Sequence, residues 1–260
     1  MKLLRRLLWL LLFATLPGLG HAQTPPGNRL DAIVARGTLR VGMPGDYRPF
    51  ALRDPATGKI EGIDVDLAEN LAASLGVKLE IVPTKWADLL SDVSADKFDI
   101  GMGGISITLA RQKVAYFSIP MMRTGKAAIA RCDAAAKYPT LAAIDQASVK
   151  VVTNPGGTNE KFDRAMLKLA QIVVAPTNIA VWDDLIAGRA DVMITDNVET
   201  RLQQKLHPEL CAIHPNAPFD FGELGYLLPR DPVLEAYVDQ WLHFASETGL
   251  LQTTIGKYLN

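Results

Sequence analysis

The feature that most constrains this 260-residue chain is an alternation of helical and extended apolar patterns that runs through the first half and then starts again in the second. Arg29–Arg36 reads as an amphipathic helix closed by Gly37, and Thr38–Met43 is an apolar strand ending at the turn Pro44-Gly45-Asp46. Residues 51–62 read as a hairpin around the turn 54–58. From Asp64 onward, Val65, Leu67, Ala68, Leu71, Ala72 and Leu75 keep a helical period that stops at Gly76. A strand over 78–82, a helix over 86–93 and a strand over 98–102 follow. Strand and helix in this order, with short connections, imply a largely parallel sheet covered by helices on both faces.

The second unit has strands over 126–130, Lys150–Thr153, 172–174 and 191–195, with helices over 158–169 and 179–187 between them. One sheet would hold all these strands poorly, so the expected fold is α/β with two lobes. A strand over 224–228 and a helix over 232–246 form a tail suited to completing the first lobe. The expected division is then 23–121 with 222–260 for one lobe and 122–221 for the other, joined by two crossing segments. Ligands of such sheets sit beyond the carboxyl ends of the strands, which here means the cleft between lobes.

The composition narrows the function classes. With 48% hydrophobic residues the chain can build cores, and 27 basic against 28 acidic residues without a long like-charge run argue against a nucleic-acid partner. Residues 1–22 read as a leader: Lys2, Arg5 and Arg6 precede an apolar run over 7–12, then Pro17, Gly18 and a small-residue stop at Ala22, after which cleavage is expected. That run is shorter than the roughly 20 residues that span a bilayer, so export is favoured over a membrane anchor. Cleavage removes three basic and no acidic residues, leaving a mature chain of 24 against 28. Two cysteines in an exported chain, Cys132 and Cys211, suggest one disulfide, with two buried thiols as the alternative. Neither Cys-x-x-Cys nor His-x-x-x-His occurs, and only four histidines exist, so no metal site is expected. A homo-oligomer is left open.

Polar clusters at the expected strand ends are the candidates for chemistry. Asp46 and Tyr47 follow the first strand. The run from Gly104 through Ser106 to Arg111, with Thr108 as an N-cap, offers free amides and a guanidinium for a carboxylate, against the plainer reading of Arg111 as a solvated helix charge. The turn from Asn154 to Asn159, with Gly157 and Thr158 in it, suits an anion too, or is a simple connection. It lacks the glycine spacing and the Gly-Lys-Thr ending of nucleotide loops. Asp196 falls at the start of a helix with Glu199 three residues on, the spacing of a capping box, so a purely structural role competes with a chemical one. Trp86, Tyr47 and Phe50 could be core, the usual place of a single aromatic, and Lys126, opening a strand after Gly125, is similarly ambiguous. Residue types and spacing alone support an exported two-lobed binder of a small anion.

Together, LRVGMPGDYRPF, GKIEGIDVDLAENLAASLG, FDIGMGGISITLARQ and YFSIP resemble the type II periplasmic solute-binding proteins, in particular their amino-acid-binding branch, over nearly the whole mature chain. NPGGTNEKFDRA, ITDNVETRLQ, KLHPELCAIHP, FDFGE and YLLPRD with VDQWLH are similar to the cyclohexadienyl dehydratases, periplasmic enzymes on that fold. This resemblance implies loss of water and carbon dioxide from prephenate to give phenylpyruvate, and from arogenate to give phenylalanine, without a cofactor. It also implies Glu199 as general acid, Trp86, Lys126 and Asn154 around it, and Arg111 as carboxylate anchor. Gly103 stands where relatives often carry Ser, and Asn197-Val198 replaces Ala-Ile. The competing class is a transport receptor for a polar or cationic amino acid; it would have no use for an acid aimed at a leaving hydroxyl.

Overall fold

The computed structural model describes residues 27–259, so the expected leader and its cleavage point after Ala22 lie outside the described residues. Two five-stranded sheets organise the chain. In the first, the order is Lys78–Pro83, Thr38–Met43, Ile100–Gly101, Leu227–Leu228, Tyr116–Phe117. In the second it is Gln171–Val174, Lys150–Thr153, Val192–Asp196, Lys126–Arg131, Leu210–Ile213.

Parallel pairing is confined to three strands of each sheet. Thr38–Met43 runs parallel to both its neighbours, and Lys150–Thr153 does the same in the second sheet. Leu227–Leu228 and Lys126–Arg131 are antiparallel to the strands on either side. The sheets are therefore mixed rather than largely parallel. Both reversed strands directly follow a crossing segment, Gly222–Leu224 or Met122–Thr124, and these segments pair with each other. A chain arriving from the other lobe enters its sheet from the cleft side, whereas strands fed by a crossover helix run toward the cleft.

Strand periodicity explains why both faces of each sheet are buried. In the second sheet Ala128, Ala130, Val151, Val192 and Ile194 pack on one face, while Ile129, Val152 and Met193 pack on the other. In the first sheet Leu39, Val41, Met43 and Ile100 join a large core shared with helices Ile63–Ser74 and Pro232–Glu247, and Phe117 and Leu227 face a smaller cluster around Phe98. Complete burial of each Val, Leu, Ile, Phe or Met among these contributes about 1.5 to 3 kcal/mol.

Some elements differ from expectation. The helix expected to include Trp86 begins at Leu89, leaving the tryptophan in a turn. The strand expected over 98–102 shortens to Ile100–Gly101. The strand expected over 224–228 splits into Gly222–Leu224 and Leu227–Leu228, because the amides between them turn to Ile105 O and Ser118 Oγ. Helix Leu250–Leu259 was not anticipated. Cys132 and Cys211 are bonded, with sulfurs 2.07 Å apart. They lie at the far end of strand Lys126–Arg131 from the cleft, about 20 Å along it. Among the described residues, no helix is long and apolar enough to cross a membrane.

Candidate active site

The cleft between the sheets narrows to a cavity of about 20 Å³ lined by Tyr47, Trp86, Gly104 and Ser106 from the first lobe and by Asn154, Gly157, Thr158, Asn159, Asn178, Asp196 and Glu199 from the second. That is far below the roughly 300 to 1,000 Å³ of small-molecule sites, so the two walls stand nearly closed on one another. Strand ends deliver most of these groups. Val192–Asp196 passes directly into helix Asn197–Leu206, whose first turn carries Glu199. The antiparallel register sets Asp196 opposite Lys126, and the ammonium lies 2.8 Å from the carboxylate Oδ1.

The capping-box reading of Asp196 and Glu199 fails on geometry. Asp196 occupies the N-cap position by its backbone, but its side chain makes no cap hydrogen bond. Its oxygens accept instead from the Tyr47 hydroxyl and from Lys126 Nζ, both at 2.8 Å. Glu199 accepts from Asn178 Nδ2 at 2.9 Å and from the Thr195 hydroxyl at 2.6 Å. An exposed cap would have left the carboxylate in water; Glu199 is 1% exposed.

Burial decides the protonation of this acid. Removal from water pushes Glu199 up to about 8 and the negative charge of Asp196 adds to that, against hydrogen bonds from Thr195 and Asn178 and the charge of Lys126. The sequence alone leaves these opposing effects unranked; the depth of the site ranks them. Tyr47, buried beside Asp196 and Glu199, is likewise pushed well above its ordinary range and stays a neutral donor.

The lining residues form a chain of hydrogen bonds through both lobes. Lys126 Nζ donates to Thr158 Oγ1 at 3.2 Å and Asn159 Oδ1 at 2.5 Å as well as to Asp196. Asn159 Nδ2 reaches Asn154 Oδ1 at 3.1 Å and Thr195 Oγ1 at 3.0 Å, and Thr195 leads to Glu199. Within the first lobe Trp86 Nε1 donates to Asp46 Oδ1 at 2.8 Å, and across the cleft the Ser106 and Thr158 hydroxyls meet at 3.1 Å. Asp46 itself sits behind the cleft, where the Asn178 amide approaches its Oδ2 at 3.3 Å.

Two groups lie slightly apart from the rest. Arg111 and Lys126 line an adjoining cavity that shares Ser106, Thr158 and Asp196 with the cleft. Arg111 is 4% exposed and donates to Ser106 O at 2.7 Å, with no carboxylate oxygen within 4.0 Å among the described residues. Burial lowers its affinity for the proton to about 10, which still leaves a charged, unneutralised guanidinium at neutral pH. The amides expected to be free for an anion are in part occupied: Gly103 and Gly104 both donate to buried Asp64 at 2.7 Å, and Gly156 donates to Glu160 at 2.7 Å. Gly104 is required by its backbone, with φ +75° and a Cβ position only 2.6 Å from the Tyr47 and Phe50 rings.

Asn178 and Thr195 escape sequence reasoning as site residues, and Asn159 enters it only as the end of the candidate turn. Thr195 ends a strand, Asn159 lies within a turn-like run, and Asn178 directly follows a capping Thr177, so each reads as ordinary local structure. The signal that could have found them is position at strand carboxyl ends.

Residues 39–260 match the model of bacterial extracellular solute-binding proteins, family 3. The chain belongs to that family. Among curated relatives, this family member is 53% identical over 232 residues to cyclohexadienyl dehydratase of Pseudomonas aeruginosa PAO1, covering 89% of this chain and 86% of the relative. It is 29% identical over 170 residues to the L-cystine-binding protein TcyJ of Escherichia coli K12, covering 65% and 62%. Among solved structures, the ancestral amino acid-binding protein AncCDT-1, a precursor of cyclohexadienyl dehydratase, superposes with a TM-score of 0.83 at 34% identity, covering 89% of this chain and 99% of that one. A variant of the ancestral cyclohexadienyl dehydratase AncCDT-3 is 48% identical, with a TM-score of 0.57 and coverage of 92% and 99%.

Proposed function

We propose that this protein is a cyclohexadienyl dehydratase, a carbon–oxygen lyase acting in the periplasm on prephenate and arogenate. The observation that carries the reading is the pairing of the cleft with a completely buried Glu199 whose pKa is pushed up to about 8. At neutral pH such a carboxyl still holds its proton, as a general acid must. The 53% identity to a cyclohexadienyl dehydratase over most of both chains supports the same conclusion.

The reaction asks little of the protein beyond this. Glu199 donates its proton to the ring hydroxyl, the carbon–oxygen bond breaks, and water leaves. The electron pair of the ring–carboxylate bond enters the ring as carbon dioxide departs, and aromatisation drives the step. Arg111 and Lys126 hold the anionic substrate, Asn154 hydrogen-bonds to it, and Asp46, Tyr47, Trp86, Gly104, Ser106, Gly157, Thr158 and Asp196 shape and close the pocket. Lys126 already has three oxygen neighbours, so a substrate carboxylate takes the place of one of them. General acid catalysis supplies roughly 100 to 10,000-fold, and positioning in a water-excluding cleft supplies the remainder. The same reading takes residues 23–121 with 222–260, and residues 122–221, as the two bodies that close on the substrate.

The test is direct. Purified protein mixed with prephenate should release phenylpyruvate, followed by its absorbance in alkali, well above the spontaneous rate. Absence of turnover together with tight binding of a common amino acid would overturn the reading in favour of a transport receptor.

A further inference from the structure

Resting on the dehydratase reading, we propose that Asn178 holds both partners of the proton transfer: its Nδ2 fixes the Glu199 carboxyl, and its Oδ1 accepts from the substrate hydroxyl that is about to leave. Asn178 is 3% exposed and lines the cleft, and its Nδ2 lies 2.9 Å from Glu199 Oε1. Its Oδ1 is a buried acceptor without a hydrogen-bond partner among the described residues. An acceptor left so has lost its water without compensation, and a ligand O–H removes that cost. The leaving hydroxyl is the donor that chemistry brings beside Glu199.

The residue also ties the acid to closure of the lobes. Asn178 begins helix Asn178–Ile186 of the second lobe, yet its Nδ2 also reaches Asp46 O at 3.3 Å and its amide reaches Asp46 Oδ2 at 3.3 Å, both on the first. Asp46 in turn holds Trp86. Closure thus orients the amide that orients the acid. In the step itself Glu199 loses a proton, the hydroxyl becomes water, and Asn178 neither gains nor loses one.

Two variants test this, each read by kcat, KM, the pH profile of kcat and thermal melting, after wild-type turnover of prephenate has been measured. The charged and titratable groups facing Glu199 are Asp196, Lys126 and Tyr47, with Asp46 beyond Asn178. Asn178→Ala, which loses both contacts, should lower kcat about 100-fold with KM within about threefold. Asn178→Asp keeps an acceptor but replaces the donor by a like charge, so kcat should fall and its alkaline limb should move to higher pH. Either variant retaining kcat within about twofold of wild type overturns the assignment. So does a loss that tracks a lowered melting temperature while the alkaline limb of Asn178→Asp stays in place. If wild type itself fails to turn over prephenate, the dehydratase reading falls first and this assignment with it; if only the variants contradict expectation, the dehydratase reading stands.

Discussion

The two walls of the cleft are made of different material. The first lobe presents aromatic rings, a glycine and a hydroxyl: Tyr47, Trp86, Gly104 and Ser106. One of its buried carboxylates, Asp64, is turned away to hold the Gly103 and Gly104 amides. The second lobe presents ionisable groups in mutual contact, Lys126, Asp196 and Glu199, braced by Asn154, Asn159, Asn178 and Thr195. On the proposed reading the first wall seals, shapes and, through Arg111, anchors the anion, while the second changes protonation. The contrast teaches that a solute-binding scaffold can acquire chemistry on one lobe while the other continues to supply closure.

The largest expected effect comes from breaking the reactive wall. Glu199→Gln keeps the side-chain volume but has no proton to give, and turnover should fall by about two to four orders of magnitude in the phenylpyruvate assay. Because the native pKa of Glu199 is raised to about 8, the folded state binds its proton more tightly than the unfolded chain. That contribution to stability is complete below the ordinary carboxyl range and is lost as pH rises through about 8. The Gln variant escapes this loss, so melting curves should place it above wild type at about pH 9 relative to their difference at about pH 5. A variant that instead melts lower at every pH would return Glu199 to a structural role.

Breaking the sealing wall should cost less. Tyr47→Phe removes only the hydroxyl that bonds Asp196 across the lobes. A hydrogen bond to a charged group contributes about 1.5 to 3 kcal/mol, so kcat/KM should drop by about 10 to 150-fold. Stopped-flow kinetics should show the loss mainly in KM, and a loss confined to kcat would mean that the first lobe shares in the chemistry. The smallest effect on turnover comes from reducing the Cys132–Cys211 bridge, which lies in the reactive lobe but about 20 Å from its working end. Reduction should remove about 2 to 4 kcal/mol of stability in calorimetry and leave kcat of the still-folded protein within about twofold.

Much of this was legible from periodicity and position. Helix Arg29–Arg36 and strands Thr38–Met43 and Lys150–Thr153 fall where the pattern places them, because caps and turn residues mark their ends. The cleft residues were legible because polar clusters at strand carboxyl ends converge in such folds. What escaped depends on contacts distant in sequence. Asp64 reads as the polar face of an amphipathic helix, yet it is 0% exposed and consumes amides expected to be free. The reversed direction of Lys126–Arg131 follows from the route of the chain between lobes, which no local pattern records. Glu199 satisfies the spacing of a cap and performs none, since Asn178 and Thr195 compete for it from other elements.

Where the lobes meet, Gly156 faces Ala87 so closely that a Cβ on the glycine would stand 2.7 Å from the alanine methyl. Nothing larger than a hydrogen atom fits that gap, so a single added carbon would wedge the jaws ajar and admit solvent to the acid. The shut state is therefore set by a hard stop of bare backbone rather than by attraction alone, and a protein built in this way is vulnerable at a position outside the lining of its cleft.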